Sequence, residues 1–547
     1  MSDRYLTATV VALALLSMAP SSASAGFSDV ETTQLISRSA TGDLPNGPSG
    51  NAVISHDRRA NRVIAFESDA SDIAAGVLPG LTNIYIVNRG GSFSAESAER
   101  WQIGATQLVS QGLDGPANGR SYGPAVDGNF AADASCVAFI SNATNLVPGD
   151  TNGVPDAFVY HLSSGKIERV SVNSRGEQAN GASYDVAVDG HCDRVAFTSD
   201  ATNLALTHTS RKQAKLLTTR APGGGPKQVY VRQLKGHNRS GRKLAGLTWL
   251  ASASTRKSPG DGNSSAPSFA IDVNDLLTFQ SDATNLAPGG GNGVTQVYVR
   301  RFQAPAETGR VSTNASGEQG NGASTRPQFG ATGEFVVFQT DATNIVSGDT
   351  DPLTDAVRVQ LQRRGGKGAR AAAAPAHFRP RTIATLGADV GATGPSDSAS
   401  FSPKVTDAGT FITFQSSPSN VAAFTGEATS IPGAPMMADP NSYRIVPAAR
   451  DLAPASQIFT RSLTIGEVYI DSRDSRGPHS GALVSPSDQP AASAKANYVL
   501  MRTADPFADR VFVAAKHPDW LANKPAIRAQ AASNPIFRQV YMHYLGP

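Results

Sequence analysis

One short segment has the residue types of a nucleophilic hydrolase. Residues 119–123 (GRSYG) match the G-x-S-x-G pattern, in which a serine stands on a sharp strand-to-helix turn near a histidine and an acid. Residues 181–185 (GASYD) and 322–326 (GASTR) occupy the same place in a repeat of this chain. Because copies without the full motif hold equivalent positions, we predict that Ser121 belongs to a structural turn and is not catalytic.

Two loops carry oxygen ligands at their first, third and seventh positions, a spacing that suits a hard cation such as calcium. These residues are Asp150, Asn152 and Asp156 in one loop, and Asp349, Asp351 and Asp355 in the other. A third copy, residues 289–296, keeps the loop length but contains no carboxylate. The sequence therefore leaves two interpretations open, an Asx turn that satisfies the backbone or a calcium site. No other cofactor is expected.

Cys136 and Cys192 are the two cysteines of the chain. They occupy nearly equivalent points of two adjacent repeats, and an exported protein with a pair of cysteines usually oxidises it. We predict a disulfide between neighbouring repeats, with two buried free thiols as the alternative. The nine histidines are scattered and none pairs with a cysteine at metal-ligand spacing.

The first 25 residues have the composition of an export signal. Arg4 precedes an apolar run over residues 6–18, and Ala23 and Ala25 form a small-x-small cleavage site. We therefore predict a signal peptide at residues 1–25 and a mature domain at 26–547, secreted or periplasmic. No later segment approaches the 18 or so apolar residues that span a membrane, so we expect no transmembrane segment in the mature chain.

The organisation of the mature chain follows from one recurring hexapeptide. Copies with the form S-[DN]-A-T-N-L, or a close variant, stand at residues 141–146, 199–204, 281–286 and 340–345, with weaker copies at 68–73 and 416–421. Each follows a β-rich run and a hairpin turn, and a second pair of aromatic and β-branched runs comes after it. This pattern predicts four antiparallel strands per repeat. The 52 glycines and 34 prolines agree with many turns.

These residues resemble a known family. The turn and strand around Asp189, Gly190 and Phe197, with the hexapeptide that follows, resemble the TolB-like, WD40-like β-propeller repeats of exported bacterial proteins. The resemblance covers almost all of residues 30–547. It implies an all-β fold, a single β-propeller. The count of repeat units in this chain predicts about seven four-stranded blades, with six or eight as alternatives. Residues 33–37 resemble an outer strand without its own blade, and we expect them to complete the last blade beside residues 539–544.

Two insertions between third and fourth strands are basic. Their candidate binding residues are Lys235, Arg239, Arg242 and Lys243 in one insertion, and Arg363 and Arg364 in the other. A third basic insertion, over residues 211–220, follows a second strand and belongs to the opposite face. Either these are solvated loops or they contact an anionic surface or polymer. A net charge of +3 and the lack of interleaved aromatic residues exclude nucleic acid as the expected partner.

The sequence favours a non-catalytic function. We expect a monomeric binding or scaffold propeller outside the cytoplasm that holds a protein or an anionic polymer of the cell envelope. The alternative is a propeller hydrolase or lyase with acids, histidine or arginine at the mouth of its central channel. Inner strands such as residues 122–127 and 266–271 bring few titratable groups together. Propellers host both kinds of function, so the fold alone does not decide between them.

The signal segment generates a direct prediction. Expressed with its natural start in a bacterial host, the protein should be exported and cleaved before Gly26, because the apolar run is too short to remain as a membrane anchor. Intact-mass measurement of the exported protein checks this. A mature protein that still contained residues 6–18 would contradict it.

Overall fold

A computed structural model describes the fold between residues 33 and 544, with gaps. The described residues are 33–57, 61–90, 101–204, 225–235, 245–273, 275–302, 306–346, 349, 352–361, 380–383, 400–406, 409–416, 456–462, 468–472, 487–493 and 498–544. Within residues 380–383 and 461–470 only the backbone strands are described. The predicted signal peptide lies outside these ranges.

Seven four-stranded antiparallel sheets, the blades, make up the described chain. Blade 1 consists of β2 (Ser49–Ile54), β3 (Val63–Ser68), β4 (Asn83–Gly90) and β5 (Gln102–Leu108). Blade 2 consists of β8 (Ser121–Val126), β9 (Cys136–Ser141), β10 (Asp156–His161) and β11 (Lys166–Arg169). Blade 3 consists of β12 (Ser183–Val188), β13 (Arg194–Ser199), β14 (Gln228–Gln233) and β15 (Thr248–Leu250). Blades 4 and 5 consist of β16 (Ser264–Phe269), β17 (Leu276–Ser281), β18 (Gln296–Arg301) and β19 (Glu307–Arg310); and β20 (Ser324–Phe329), β21 (Phe335–Thr340), β22 (Asp355–Leu361) and β23 (Pro380–Ile383).

The last two blades complete the ring. Blade 6 consists of β24 (Ser400–Val405), β25 (Phe411–Ser416), β26 (Gln457–Ser462) and β27 (Val468–Ile470), and blade 7 of β28 (Ser487–Ala492), β29 (Tyr498–Thr503), β30 (Gln539–Tyr544) and β1 (Thr33–Leu35). A short ribbon, β6 (Gln111–Gly112) with β7 (Gly115–Pro116), lies between blades 1 and 2. The predicted all-β propeller of about seven blades is confirmed, and the number among the described strands is seven.

The second strand of each blade is apolar on both of its faces because the blade packs between two neighbours. In β9, Cys136, Ala138 and Ile140 pack against blade 3, whereas Val137 and Phe139 pack against blade 1. A strand buried on both faces is a continuous apolar run rather than an alternating pattern. This explains why the β-rich runs before the hexapeptides are the most apolar part of each repeat.

Five blades share a stacked aromatic pair between their second and third strands. The ring centroids lie 5.7–5.9 Å apart in the pairs Phe66–Tyr85, Phe139–Phe158, Phe197–Tyr230, Phe279–Tyr298 and Phe414–Phe459. Such pairs contribute about 0.5–1.5 kcal/mol beyond the burial of their area. The repeated aromatic positions therefore belong to the blade cores.

The first strands carry a bulge at the same place. In six of the seven, the third residue has φ between 46° and 62°; these residues are Asn51, Gly123, Ala266, Arg326, Ser402 and Gln489. In every first strand the pairing with the second strand shifts across this position. A bulge bends a strand and redirects a side chain. Here the redirected residue faces the axis of the ring.

The ring is closed. Each first strand contacts the first strands of both neighbouring blades, and the series runs from β2 through β28 and back to β2. β1 pairs antiparallel with β30, and the Thr33 hydroxyl lies 2.9 Å from His543 Nδ1. The predicted completion of the last blade by the N-terminal strand is therefore confirmed.

A helical insertion in blade 7 adds a second contact to this closure. It contains α1 (Arg510–Lys516) and α2 (Lys524–Ser533). Asp509 caps α1 by accepting from Phe512 N, and its other carboxylate oxygen accepts from Leu35 N at 2.9 Å. His517 Nε2 lies 2.7 Å from Asp43 Oδ1. The insertion thus fastens the segment that follows β1. Among the described residues, no helix has the length and apolar character needed to cross a bilayer.

Closure generates a stability prediction. A mature chain that starts at residue 38 should unfold more easily than one that starts at residue 33, because it loses the fully buried Leu35 and Ile36 and exposes the edge of β30. The expected loss in unfolding free energy is about 3–6 kcal/mol, from two aliphatic side chains. Urea denaturation of the two truncated proteins measures it. Equal midpoints would show that the N-terminal strand does not hold the ring together.

Candidate functional site

The ring has two unlike faces. We call the upper face the one where first strands begin and second strands end, and the lower face the one that carries the turns between first and second strands. The hexapeptide loops, which follow the second strands, therefore lie on the upper face. The side chains at the second, third and fifth positions of the first strands are only partly buried in most blades, and they line the channel.

The hexapeptide loops use their polar groups to fasten themselves to the chain entering the same blade. In blade 2, Ala143 N donates to Ser141 Oγ, Thr144 N to an oxygen of Asn118, and Asn145 Nδ2 to the Pro116 carbonyl, at 2.8–3.0 Å. The same three bonds recur in blades 3, 4 and 5. The most repeated motif of the sequence is therefore structural.

The G-x-S-x-G segment is part of the same arrangement. A Cβ on Gly119 would lie 2.7 Å from Ala143 N, closer than real Cβ contacts allow, and the equivalent glycines are Gly181, Gly262 and Gly322. Ser121 is fully buried, and its hydroxyl lies 2.8 Å from that of Ser141. The glycine is required by close packing and the serine is held by a neighbouring hydroxyl. Nothing in this geometry presents Ser121 to a substrate.

An arginine lies among the first set of calcium candidates. Arg169 Nη1 is 3.3 Å from Asp150 Oδ1 and 3.6 Å from Asp156 Oδ2. Asn152 Nδ2 donates to Asp156 Oδ2 at 3.0 Å, and Asn152 Oδ1 accepts from Val154 N as in an Asx turn. Burial raises the pKa of Asp156 to about 6. The guanidinium stands where a cation would, so calcium here would have to displace it, and calcium stays a prediction.

The second loop is described only in part. Asp349 and Asp355 are described, with Asp355 buried, whereas Asp351 lies outside the described residues. In the third copy, Asn292 Oδ1 accepts from Val294 N at 3.0 Å, as Asn152 does in the first loop. The turn geometry is thus shared by a copy that has no carboxylate.

Cys136 and Cys192 lie side by side between blades 2 and 3. Their Cα atoms are 6.1 Å apart, their sulfurs are bonded, and both residues are fully buried. The carboxylate of Asp127 lies within 4.8 Å of both sulfurs and accepts from Cys136 N at 2.8 Å. Burial raises the pKa of Asp127 to about 6. The pair links blades 2 and 3 within their shared apolar core.

The basic candidates fall mostly outside the described residues. Lys235 is exposed, and its Nζ lies 3.5 Å from the His191 carbonyl. Arg239, Arg242, Lys243, Arg363 and Arg364 are not described. Binding by these insertions stays a prediction.

The upper mouth of the channel carries aromatic rings paired with cations. Tyr122 and Tyr184 stand at the second position of adjacent first strands. The Arg120 guanidinium lies 4.8 Å from the centre of the Tyr122 ring, and Lys227 Nζ lies 3.6 Å from that of Tyr184. The Tyr184 hydroxyl donates to Asp200 at 2.7 Å; burial and this carboxylate raise the pKa of Tyr184 to about 12. Both rings are held in place while remaining half-exposed.

Phe401 occupies the same second position in blade 6, with 40% of its surface exposed. Three of the seven copies thus place an aromatic ring at the mouth, on two sides of the ring of blades.

Acidic side chains at the mouth bridge neighbouring blades. Glu67 accepts from Asn51 Nδ2 at 2.6 Å and from Gly123 N at 3.0 Å, and Asp185 accepts from Ala266 N at 3.2 Å. These acceptors satisfy backbone N–H groups that the bulges release from pairing. The acids therefore help to fix the mouth, which is a pre-formed surface.

On the lower face, the turn between the first two strands of blade 2 contacts blades 3 and 4. The turn of blade 2 is longer than the others, and its Asn129 Nδ2 lies 2.9 Å from His191 of blade 3. Phe130 N donates to Asp272 of blade 4 at 3.3 Å. This second contact joins two blades that are not neighbours in the ring. The turn of blade 2 thus packs against blades 3 and 4 on the lower face.

The residues at the mouth were missed by sequence reasoning. A repeat comparison could have found them, because Tyr122, Tyr184 and Phe401 stand where other copies have glycine, serine, threonine or aspartate. The sequence does not show that these positions line the channel, however, because that depends on the register of the bulge, and no residue pattern predicts that register.

Comparisons with known proteins concern the fold. No protein-family model matches the chain, and no curated protein does. Among solved structures the chain is similar to a TolB-type protein of Agrobacterium tumefaciens at 10% identity, covering 67% of this chain and 83% of that one, with a TM-score of 0.33. It is similar to an oligogalacturonate lyase in complex with manganese at 8% identity, covering 94% and 98%, with a TM-score of 0.43.

A third similarity is to the β-propeller domain of the trilobed protease from Pyrococcus furiosus, at 6% identity, covering 84% and 91%, with a TM-score of 0.40. The propeller of about seven blades that the repeats predicted is confirmed by the seven four-stranded sheets themselves. TolB proteins are among the solved structures to which the chain is similar.

The cysteine pair generates a prediction about stability. Replacing Cys136 and Cys192 together by alanine should lower the free energy of unfolding by about 2–5 kcal/mol, because a link between adjacent blades is lost. Urea denaturation measures the loss, and wild-type protein under reducing conditions is the matched comparison. Thiol titration of unfolded, unreduced wild-type protein should find no reactive thiol. Two reactive thiols per chain would contradict the disulfide.

Proposed function

We propose that this protein is a non-catalytic binding propeller outside the cytoplasm, which holds a protein or a cell-envelope polymer at the upper mouth of its channel. The observation that carries the proposal is the pair of rings, Tyr122 and Tyr184, each stacked with a cation at the rim of the channel. Aromatic rings with one apolar face and a polar edge are typical of binding surfaces.

Rigidity supports the same reading. Tyr184 is held by its hydrogen bond to Asp200, and the backbone of the bulges is held by Glu67 and Asp185. A surface that is ordered before the ligand arrives loses little conformational entropy on binding. A sugar polymer has flat ring faces that stack on tyrosine and hydroxyls that bond to nearby acids and cations.

The location outside the cytoplasm rests on two observations. The first is the export signal at residues 1–25. The second is the buried Cys136–Cys192 pair, since disulfides form and persist mainly in oxidising compartments.

A sedimentation experiment tests the proposal. Mature protein should pellet with purified peptidoglycan sacculi, an insoluble envelope polymer, without releasing soluble fragments. The double variant Tyr122→Ala, Tyr184→Ala should bind about tenfold more weakly, as the loss of two aromatic contacts implies. Phe130→Ala, an exposed aromatic residue of the lower face, is the matched control and should bind like wild type.

Each other outcome has a clear meaning. Release of soluble fragments by wild type would show a hydrolase or lyase and contradict the non-catalytic reading. Wild-type protein that stayed in the supernatant would show that peptidoglycan is not the polymer bound. An equal loss of binding in the Phe130 variant would show that the upper mouth is not the binding surface.

A further inference from the structure

Two basic side chains of adjacent first strands face the channel together. Arg326 is the third residue of β20, and Lys404 is the fifth residue of β24. Arg326 Nη1 donates to Ser402 Oγ at 3.0 Å, which brings the guanidinium across to β24, two residues before Lys404. Lys404 is partly buried and Arg326 is exposed, and both stand at positions of the first strands that line the channel.

No other copy of the repeat has a basic residue at either position. The third position is otherwise Asn51, Gly123, Asp185, Ala266, Ser402 or Gln489, and the fifth is otherwise Val53, Ala125, Ala187, Ser268, Gln328 or Ala491. A residue that the fold requires tends to recur from blade to blade, as the hexapeptide does. These two cations are therefore not part of the shared architecture.

Other buried or half-buried cations of the propeller have partners. Arg502 makes two bonds to Asp488, at 2.6 and 2.8 Å. Arg232 and Arg300 each donate to backbone carbonyls and a threonine hydroxyl of a neighbouring segment. These arginines hold blades together and leave little capacity for a ligand.

Lys404 differs from them. Among the described residues its ammonium has no hydrogen bond and no carboxylate within ion-pair distance, and the Arg326 guanidinium donates to a neutral hydroxyl. Burial, and then the charge of Arg326, lower the pKa of Lys404 to about 8. The group is still mostly charged at neutral pH. A half-buried charge without a partner is unfavourable, and an anion would relieve it.

A third polar group lies at the same level. Gln328 is the fifth residue of β20, the position that Lys404 holds in β24, and its Oε1 is buried without a hydrogen-bond partner among the described residues. A side-chain amide offers both an acceptor and donors. The channel thus contains two cations and one unused amide on neighbouring strands.

We propose that Arg326, Lys404 and Gln328 form a site for a small carboxylate ligand that carries a hydroxyl or N–H beside its carboxyl group. The guanidinium and the ammonium hold the carboxylate, since a planar guanidinium matches the two oxygens of a carboxylate. The amide of Gln328 accepts from the neighbouring donor.

This site does not rest on the proposed function. It lies on blades 5 and 6, whereas Tyr122 and Tyr184 belong to blades 2 and 3, and its ligand is a small molecule. Either proposal can fail while the other holds.

Calorimetric titration of the mature protein at low ionic strength tests the site. Lactate represents a free organic acid, glucuronate represents a uronic acid residue, and lactamide is the neutral match. We expect at least one carboxylate to bind and lactamide to bind about tenfold more weakly or worse, as the loss of a charged hydrogen bond implies. Arg326→Gln and Lys404→Gln should each weaken carboxylate binding to a similar extent.

The control is Lys166→Gln, which removes an exposed lysine of the outer strand β11 and should leave carboxylate binding unchanged. Lys404→Arg keeps the charge and should retain most of the affinity. A second readout is acetylation of Lys404 by acetic anhydride, followed by mass spectrometry, which a bound carboxylate should slow. The proposal is overturned if neither carboxylate binds or slows acetylation, if lactamide binds equally well, or if the Lys166 variant loses binding as the Lys404 variant does.

Discussion

Every blade of this propeller depends on the contact that closes the ring. Each sheet buries both of its faces against its neighbours, so a sheet at an open end would expose an apolar face and an unpaired edge. The chain meets this requirement by placing β1 beside β30, which makes the first and last segments of the described fold one sheet. The helical insertion then fastens the segment after β1 through Asp509 and His517. The ring is thus closed by two separate contacts, the pairing of β1 with β30 and the helical insertion.

The repeated polar residues of the chain answer a second requirement, that of satisfying the backbone where strands end. In blades 2 to 5 the threonine and asparagine of the hexapeptide loop bond to the segment that enters the blade, and Gly119 and its equivalents allow the two backbones to approach. Asp150 and Asp156, which resemble cation ligands, are likewise satisfied by a residue of the chain itself, because the Arg169 guanidinium lies between them. The polar residues that recur from blade to blade in this propeller therefore hold the blades together and do not by themselves mark a binding site.

This explains how far the sequence could be read. Blade number, strand order and the pairing of residues 33–37 with the last blade follow from a repeat whose aromatic and turn residues recur, because each blade needs the same core. The channel residues do not recur and have no such pattern. Arg326 and Lys404 stand two residues apart in the numbering of the repeat, and they face one another only because a bulge changes the register of β20 and β24 and because those strands are adjacent. Neither the bulge nor the adjacency of these two strands can be predicted from the spacing of the residues along the chain.

The bulge of the first strands has an evolutionary consequence. Its third residue is removed from the blade core and turned toward the axis, and the seven copies hold asparagine, glycine, aspartate, alanine, arginine, serine and glutamine there. A left-handed conformation costs a residue other than glycine about 1–3 kcal/mol, which is a cost of backbone shape and largely independent of which such side chain is present. Substitution at these positions therefore leaves the packing of the blade core unchanged. A propeller of this kind can acquire a new specificity one blade at a time, with its scaffold unaltered.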